Sequence, residues 1–246
     1  PAMAKERIQK FLSAAGVAAR RAAEEMVIEG RVLLNGKPVV ELPCFVGPGD
    51  EVRVDGRRVR TSAQPHAYFL LNKPRGVVCT QSDPQGRPRA RDLVPAGRRR
   101  VYCAGRLDAE TTGLVVLSDD GELTQHLTHP SHEVPKTYLA EAEGKVEGPA
   151  LERIRRGVWL DVGRTKPAGV KVLQRGHRRT MIELRLTEGR NREVRRILAR
   201  LGHKVRRLKR TAIGPVTDRG LKVGSHRQLS PAEVRRLRKT GRWPEG

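Results

Sequence analysis

The spacing of apolar residues changes near residue 66 and divides the chain into two parts. In the first part, a helix ending at Gly16 is predicted by apolar residues at helical spacing: Ile8, Phe11, Leu12 and Ala15. A second helix is predicted over residues 19–29, with Ala22, Met26 and Val27 facing inward and Gly30 as its stop. Residues 32–34, the Asn35-Gly36 turn and residues 37–40 predict a β-hairpin. We therefore expect a small domain over residues 5–60.

The second part is richer in strands. Short apolar or alternating runs predict strands over residues 68–71, 101–104, 114–117, 137–142, 170–173, 181–186 and 205–208. Helical spacing predicts helices that begin at Gly121, Ala150, Asn191 and Pro231. Residues 81–100, rich in Pro, Gly and Arg, predict a long basic loop. Polar residues 61–66 are the best candidate for a linker, which leaves residues 67–246 as a larger domain.

The helix predicted over residues 191–201 places one arginine in a special position. Asn191 is a good N-cap residue, and the apolar stripe consists of Val194, Ile197, Leu198 and Leu201. Arg195 lies at the edge of that stripe, whereas Arg196 and Arg200 fall on the opposite face. Arg195 is thus the arginine expected to bend inward beside the core.

The strongly positive net charge of the chain indicates a polyanionic partner. The net charge is +23, and of the 50 basic residues 12 are Lys and the other 38 are Arg. Because guanidinium groups match phosphate geometry and stack on bases, this balance favours RNA binding. Five basic residues on or beside the first two helices are candidate phosphate contacts: Arg7, Lys10, Arg20, Arg21 and Arg31.

Several other classes of protein are disfavoured. Cys44, Cys79 and Cys103 are isolated, which argues against a disulfide framework or zinc ribbon and for a reducing compartment. No apolar run approaches the ~18 residues of a membrane span, and no signal peptide is recognisable. Pro130 interrupts the series His126, His129 and His132, so no metal is expected there. Nucleophile-elbow, P-loop and dinucleotide-binding patterns are missing from the sequence.

The strongest candidate for chemistry is Asp108, which follows Arg106 in a turn between two predicted strands. Alone, Asp108 is best explained as a turn residue that accepts hydrogen bonds from the amides of Glu110 or Thr111. A carboxylate nucleophile in a dry cleft also needs a cation to keep it ionised, which Arg195 could supply. Tyr138, near the start of a predicted strand, is a candidate for stacking on a base, although ordinary strand packing explains it equally well.

Two resemblances to known protein families favour a catalytic role for Asp108 over a role in the turn alone. The first part of the chain resembles the αL RNA-binding motif, on the evidence of residues 7–17, Arg20-Arg21 and residues 30–36, with Ala19 where that motif commonly has Ser. The second part resembles the pseudouridine synthases, through Gly105-Arg106-Leu107-Asp108 with Thr112-Gly113-Leu114. Companion motifs follow in the family's order: Lys73-Pro74-Arg75-Gly76, Lys136-Thr137-Tyr138, residues 188–196 and Arg207-Leu208-Lys209-Arg210.

The resemblance implies an α+β fold with a mainly antiparallel sheet, and isomerisation of a ribosomal RNA uridine to pseudouridine without cofactor or metal. Asp108 would be the nucleophile, at ribose C1′ or base C6. Arg195 would pair with Asp108, and Tyr138 would stack on the uracil and accept the C5 proton. Arg106 would hold the flipped nucleotide, and Lys73 would be a supporting cleft residue. The first domain would anchor neighbouring RNA.

The motif around residues 188–196 favours the branch that acts on large-subunit RNA, whereas residues 68–74 look more like the small-subunit branch. A non-catalytic assembly factor and a tRNA-directed enzyme are the alternatives from other classes. The expected partner is ribosomal RNA or an assembly intermediate, and the chain is expected to be a cytoplasmic monomer with no membrane association.

Overall fold

The computed structural model describes residues 5–60, 65–97 and 99–241. Contacts between Cα atoms divide the chain into two compact units, Pro1–His66 and Ala67–Gly246. Most of the predicted linker, residues 61–64, lies outside the described residues. The exact domain boundaries therefore remain a prediction, and the two units are described separately.

The first unit packs two short helices on small sheets. Its elements are β1 (Glu6–Arg7), α1 (Ile8–Ala14), α2 (Arg20–Ile28), β2 (Val32–Leu34), β3 (Lys37–Pro38), β4 (Phe45–Val46), β5 (Val52–Val54) and β6 (Arg57–Val59). One sheet has the order β3-β2-β5-β6, and β1 pairs with β4. Both residues of the predicted hairpin turn have positive φ, 51° at Asn35 and 80° at Gly36, as such a turn requires.

The core of the first unit follows the predicted helical stripes with one correction. Ile8, Leu12 and Val27 are fully buried. On α2 the fully buried alanine is Ala23, whereas Ala22, which was expected to face inward, is only half buried. Ala23 lies four residues before Val27, so the two share one face of the helix.

The second unit is built on one large sheet. Its elements are β7 (Tyr68–Lys73), β8 (Tyr102–Ala104), β9 (Thr112–Ser118), α3 (Gly121–Thr128), β10 (Lys136–Glu143), α4 (Gly148–Arg156), β11 (Trp159–Leu160), β12 (Gly163–Arg164), β13 (Gly169–Arg175), β14 (Arg179–Leu186), α5 (Glu193–Arg200), β15 (Val205–Ile213), β16 (Val216–Thr217), β17 (His226–Gln228) and α6 (Pro231–Arg238). Short 3-10 helices span Ala90–Leu93 and Pro130–His132. The first of these lies within the segment predicted as a long loop.

The nine-stranded sheet has the order β13-β14-β10-β15-β9-β7-β17, with β16 beside β15 and β8 beside β9. The pairing of β15 with β9 is parallel, and the other pairs described in this sheet are antiparallel. The protein is thus α+β with a mainly antiparallel sheet, which confirms the predicted fold class. The short strands β11 and β12 form a separate hairpin.

The parallel contact requires glycine at position 113. Gly113 is paired with Arg210 across the contact and has a φ of 112°. A Cβ atom built on Gly113 would overlap the backbone carbonyl of Arg210. Gly113 therefore lets β9 approach β15 closely, directly after the loop that carries Asp108.

The helix termini confirm one prediction and correct another. Ser230 caps α6 and forms the predicted capping box with Glu233. In contrast, Asn191 does not cap α5, because the helix begins at Glu193 and its N-cap is Arg192, in the left-handed conformation with φ 51°. Within the described ranges, no helix combines the length and apolar character needed to cross a membrane.

Candidate active site

Asp108 lies in the loop between β8 and β9, as predicted. The Thr111 N–H donates to the backbone carbonyl of Asp108 (3.0 Å), and the Gly76 N–H donates to that of Ala109 (2.8 Å). The turn is therefore closed through main-chain oxygens. The carboxylate of Asp108, whose side chain is 33% exposed, instead receives a hydrogen bond from Arg192. The structure thus gives the carboxylate a different partner from the turn amides considered from sequence.

A cleft of about 820 Å³ opens in front of this loop. Residues distant in sequence line it together, among them Asp108, Arg106, Tyr138, Arg192 and Arg210. The fold therefore brings three of the predicted site residues, Asp108, Arg106 and Tyr138, to one cavity. The other two, Lys73 and Arg195, are not among the residues that line it.

The arginine that contacts Asp108 is Arg192 rather than Arg195. The distance from Arg192 Nη1 to Asp108 Oδ2 is 3.3 Å. Arg195 Nη2 instead lies 4.0 Å from Glu110 Oε2, and Arg195 Nη1 donates to the Val205 carbonyl (3.1 Å). The predicted direct pairing of Arg195 with Asp108 is therefore corrected, because the left-handed residue before the helix takes that place.

Arg195 nevertheless lies inward, with 12% of its side chain exposed. Burial lowers the pKa of Arg195 and the charge of Arg192 lowers it further, while the negative charges of Glu110 and Asp108 oppose this shift. Arg195 thus acts on Asp108 through its field and not through a hydrogen bond. Arg195 therefore adds a second positive charge near Asp108, on a side chain more buried than that of Arg192.

Tyr138 and Lys136 line the cleft from the same strand, β10. Because they are two residues apart, they lie on one face of the sheet. Tyr138 also packs against two hydrophobic clusters, so the ring is supported from behind. Burial, with repulsion from Arg210 as a smaller cause, lowers the pKa of Lys136 to about 8, against the opposing charge of Glu193.

Lys73 supports the loop from behind the cleft. Its side chain is fully buried, and its ammonium group donates to the carbonyls of Val77 (2.8 Å) and Pro74 (3.0 Å), with the Ala109 carbonyl at 3.5 Å. Burial lowers the pKa of Lys73, opposed by the charges of Cys79 and then Asp108. Lys73 therefore joins the segment after β7 to the residue that follows Asp108.

A buried carboxyl pair holds the segment that carries Arg192. Glu188 and Glu193 are 8% and 5% exposed. Burial and the hydrogen bond and charge of Glu188 raise the pKa of Glu193 to about 7. Burial opposes ionisation of Glu188, but hydrogen bonds from the Lys166 backbone N–H, Glu193 and Arg190 outweigh it and lower its pKa. The pair therefore holds one proton below about pH 7 and loses it as the pH rises further.

Arg190 connects this pair to the hairpin β11–β12. Arg190 Nη2 donates to Glu188 Oε1 (3.1 Å) and the Arg190 backbone N–H to Glu193 Oε2 (3.2 Å). The same guanidinium donates to three hairpin carbonyls, of Val162, Gly163 and Arg164, at 2.8–3.2 Å. These contacts fix the backbone on both sides of Asn191 and so position Arg192.

Six of these residues were not chosen from sequence as site residues: Lys136, Glu188, Arg190, Arg192, Glu193 and Arg210. Each lies within a motif already noted there, but a motif does not say which side chains turn inward. Arg210 is 3% exposed, donates from Nε to the Leu114 carbonyl (2.7 Å), and lines the cleft. Charged residues buried this deeply beside a cleft are a recognisable signature of a functional site.

Two cysteines that are isolated in sequence meet in the wall of the cleft. Cys79 and Cys103 both line it. A hydrogen bond from Cys103 lowers the pKa of Cys79 to about 6, against the effect of burial, and the Leu107 N–H adds to this shift. The pKa of Cys103 is correspondingly raised. The N–H of Leu107, the residue before Asp108, thus connects Cys79 to the loop that carries Asp108.

The histidine series is used in packing. His126 is buried, and its Nε2 lies 2.8 Å from the Thr240 carbonyl. The rings of His126 and His132 are 4.9 Å apart. The described part of the chain holds no group of three or more His, Cys, Asp or Glu that could bind a metal ion.

In the first unit, the predicted RNA contacts lie at the surface. Arg7, Arg20, Arg21 and Arg31 are exposed, and Lys10 is half buried. Arg31 makes two hydrogen bonds to Asp55, at 2.7 and 2.9 Å, and one to Glu29 at 3.1 Å. Lys10 lies 3.8 Å from Glu6. The Arg31 guanidinium is thus already engaged by carboxylates.

Comparison with known proteins places this site in a family. The pattern of the RNA pseudouridylate synthase family matches residues 67–200, and that of the S4 domain matches residues 6–52. The chain belongs to the RNA pseudouridylate synthase family, which confirms the resemblance seen in the sequence.

Relatives match over nearly the whole chain. Ribosomal large subunit pseudouridine synthase B of Bacillus subtilis (strain 168) is 43% identical over 235 residues, 95% of this chain and 96% of the relative. An uncharacterised RNA pseudouridine synthase of Aquifex aeolicus (strain VF5) is 42% identical, over 96% and 94% of the two chains. A crystal structure of a pseudouridylate synthase has a TM-score of 0.69 at 33% identity and covers 94% of this chain and 99% of its own.

Proposed function

We propose that this enzyme isomerises one uridine of ribosomal RNA to pseudouridine, with Asp108 as the nucleophile and without cofactor or metal. The observation that carries the proposal is the Asp108 carboxylate, which lies in a cleft, is contacted by Arg192 and faces a cavity shared with Tyr138. Large-subunit 23S RNA is the proposed substrate because the Bacillus subtilis relative has that specificity in its name. The small-subunit 16S RNA is the alternative, on the character of residues 68–74.

The reaction replaces the N1–C1′ bond between uracil and ribose with a C5–C1′ bond. In one route, Asp108 attacks C1′, the N1 glycosidic bond breaks, and the uracil turns so that C5 attacks C1′ and releases the carboxylate. In the other, Asp108 adds to C6 of the uracil, the N1–C1′ bond breaks, the ring turns so that C5 bonds to C1′, and elimination of the carboxylate from C6 frees Asp108. Either route ends with loss of the C5 proton and gain of a proton at N1. Both need the nucleotide flipped out of its helix.

Arg192, Arg195 and Tyr138 have distinct proposed roles. Arg192 contacts the carboxylate and places a positive charge beside it, and the more buried Arg195 adds a second positive charge. Tyr138 stacks on the uracil and accepts the C5 proton. Arg106, exposed at the rim of the cleft, holds the flipped nucleotide, and Lys73 keeps the Asp108 loop in place.

The first unit supplies affinity in this proposal. Its S4 domain would contact neighbouring phosphates through Arg7, Lys10, Arg20, Arg21 and Arg31. We propose ribosomal RNA or an assembly intermediate as the partner, and a cytoplasmic monomer with no membrane association as the working form. The net charge of +23 supports a polyanionic partner.

Replacement of the nucleophile tests the proposal. Asp108→Asn keeps the side-chain shape and removes the charge, so pseudouridine formation on transcribed ribosomal RNA should be abolished while RNA affinity is retained. Asp92→Asn, at an exposed carboxylate paired with Arg89 (2.8 Å), is the matched control and should stay active. Pseudouridine detection by carbodiimide modification and primer extension is the measurement. An active Asp108→Asn enzyme would refute the mechanism.

The target can be mapped in the same way. Ribosomal RNA from a strain that lacks this protein should miss one pseudouridine, which the intact gene restores and the Asp108→Asn gene does not. A missing residue in 16S rather than 23S RNA would replace the proposed substrate with the alternative.

A further inference from the structure

The hairpin β11–β12 presents an unusually exposed aromatic ring. Trp159 is 67% exposed, although the chain has only two tryptophans and 3% aromatic residues. A large apolar side chain that remains in water at this level contributes little to the core and is available to contact a ligand. The ring stands at the end of α4, whose last turn contains Arg153, Arg155 and Arg156.

The surroundings of this ring are basic. Trp159 is paired with Arg164 across the hairpin, so the two side chains lie on the same face. Arg164 Nη2 donates to the Arg156 carbonyl (2.9 Å) and holds the hairpin against the end of α4. Residues 148–164 contain four Arg against one Glu and one Asp, and both acids are already paired, with Arg155 and Arg196. An exposed indole among arginines suits a flat, unpaired base with its phosphates.

The hairpin is also joined to the catalytic cleft. Arg190 lines the cleft and donates to three carbonyls of the hairpin. Two residues further along the chain, Arg192 contacts the Asp108 carboxylate. On the other side of the hairpin, Arg196 of α5 pairs with Asp161 (2.8 Å). A ligand on Trp159 would therefore touch an element that is fastened to the segment positioning Arg192.

We propose that Trp159 is a stacking platform for an unpaired base of the substrate RNA, outside the cleft and next to the flipped uridine in the same strand, with Arg164 at the adjoining phosphate. The inference rests on the proposed function and deepens it, because it adds a second base contact that selects RNA with a single-stranded segment beside the target. Tyr138 contacts the reacting uracil, whereas Trp159 contacts a neighbour that does not react.

Fluorescence tests the contact directly. In a Trp243→Phe background, Trp159 is the only tryptophan, and its emission should be quenched on adding an oligouridylate of about 12 nucleotides. A duplex RNA of the same length should bind through its phosphates and quench far less. Equal quenching by both RNAs, or by neither, would overturn the proposal.

Affinity and kinetics test its consequence. Trp159→Ala should weaken binding to the single-stranded probe roughly fivefold or more, and Trp159→Phe should restore most of the affinity. On ribosomal RNA, Trp159→Ala should raise KM and leave kcat almost unchanged. Val223→Ala, at another exposed apolar residue of the same unit (53% exposed), is the control and should bind like the wild type. Wild-type affinity of Trp159→Ala would overturn the proposal.

Two further outcomes are distinguishable. If sedimentation shows self-association that Trp159→Ala abolishes without changing RNA affinity, the ring belongs to an interface between copies and the RNA proposal is wrong. Formation of pseudouridine by the wild-type enzyme in the same assay separates the two proposals. Its failure would refute the proposed function, whereas an active enzyme with an indifferent Trp159 would refute only this inference.

Discussion

The two units use the same charged residue types in opposite ways. In the first unit, the candidate RNA contacts are at the surface, and Arg31 among them pairs with exposed carboxylates. In the second unit, charged groups are buried around one cleft: Lys73, Lys136, Glu188, Glu193 and Arg210. Exposed charges are screened by water and salt and attract a polyanion at long range. Buried charges interact strongly and hold one geometry, so they mark where chemistry takes place.

Replacing one lysine in each unit should give the largest contrast. Lys73→Met removes a buried cation and leaves the Val77 and Pro74 carbonyls without their donor, so we expect a loss of roughly 2–4 kcal/mol in unfolding free energy and loss of activity. Lys37→Met, at an exposed residue of β3 to which no RNA contact is assigned, should change neither stability nor activity measurably. Urea unfolding and the pseudouridine assay measure both. A stable, active Lys73→Met enzyme would contradict the role assigned to buried charge.

The carboxyl pair should make stability depend on pH. The pKa of Glu193 is raised to about 7, so the folded state holds more protons than the unfolded state between about pH 4.5 and 7, and stability should fall as pH rises through that window. Glu193→Gln is neutral throughout and should flatten this dependence, with a gain of roughly 1–3 kcal/mol over the wild type at pH 8.

Glu188→Gln is the contrasting variant for the same pair. It removes the negative partner of Arg190 and should loosen the segment before Arg192, so activity should fall at all pH values while the pH dependence from Glu193 becomes smaller. Thermal unfolding between pH 5 and pH 8 and single-turnover rates separate the two variants. Identical pH profiles for wild type and Glu193→Gln would exclude a shared proton.

The smallest effect is expected in the first unit and should appear in salt dependence. Arg20→Ala combined with Arg21→Ala should weaken RNA binding and lower the slope of log K against log salt by about one for each phosphate that is no longer neutralised, with kcat unchanged. Arg31→Ala should change that slope less, because its guanidinium is held by Asp55 and Glu29. Equal slopes for all variants would mean that this unit does not bind the probe through these residues.

Local patterns in the sequence predicted most of the elements and the central residue. The helical stripe of Ile8 and Leu12, the Asn35-Gly36 turn and the Ser230 capping box depend on neighbouring residues alone, and the structure confirms them. The family motif around Asp108 also depends on neighbouring residues, and family membership is confirmed. These are interactions over a few residues, for which periodicity and turn chemistry are sufficient.

The contact of Arg192 with Asp108 could not be predicted from local sequence patterns. Arg195 was expected to pair with Asp108, but the contact is made by Arg192, which adopts a left-handed conformation immediately before α5, and α5 starts one residue later than predicted. The ties of Arg190 to Glu188 and to the hairpin hold this turn, and they join residues up to 28 positions apart. Rules for the spacing of residues within a single helix cannot predict these contacts.

By itself, the sequence determined the two-part α+β architecture, the family, the basic surface and the loop that carries Asp108, since these follow from residues adjacent in the chain or from recognisable motifs. Only the tertiary structure decided which arginine contacts Asp108, which charges are buried around the cleft and that Trp159 stands exposed on the hairpin joined to it. The physical reason is that burial and pairing depend on segments that meet in space, as Arg192 and Asp108 do across 84 positions of sequence.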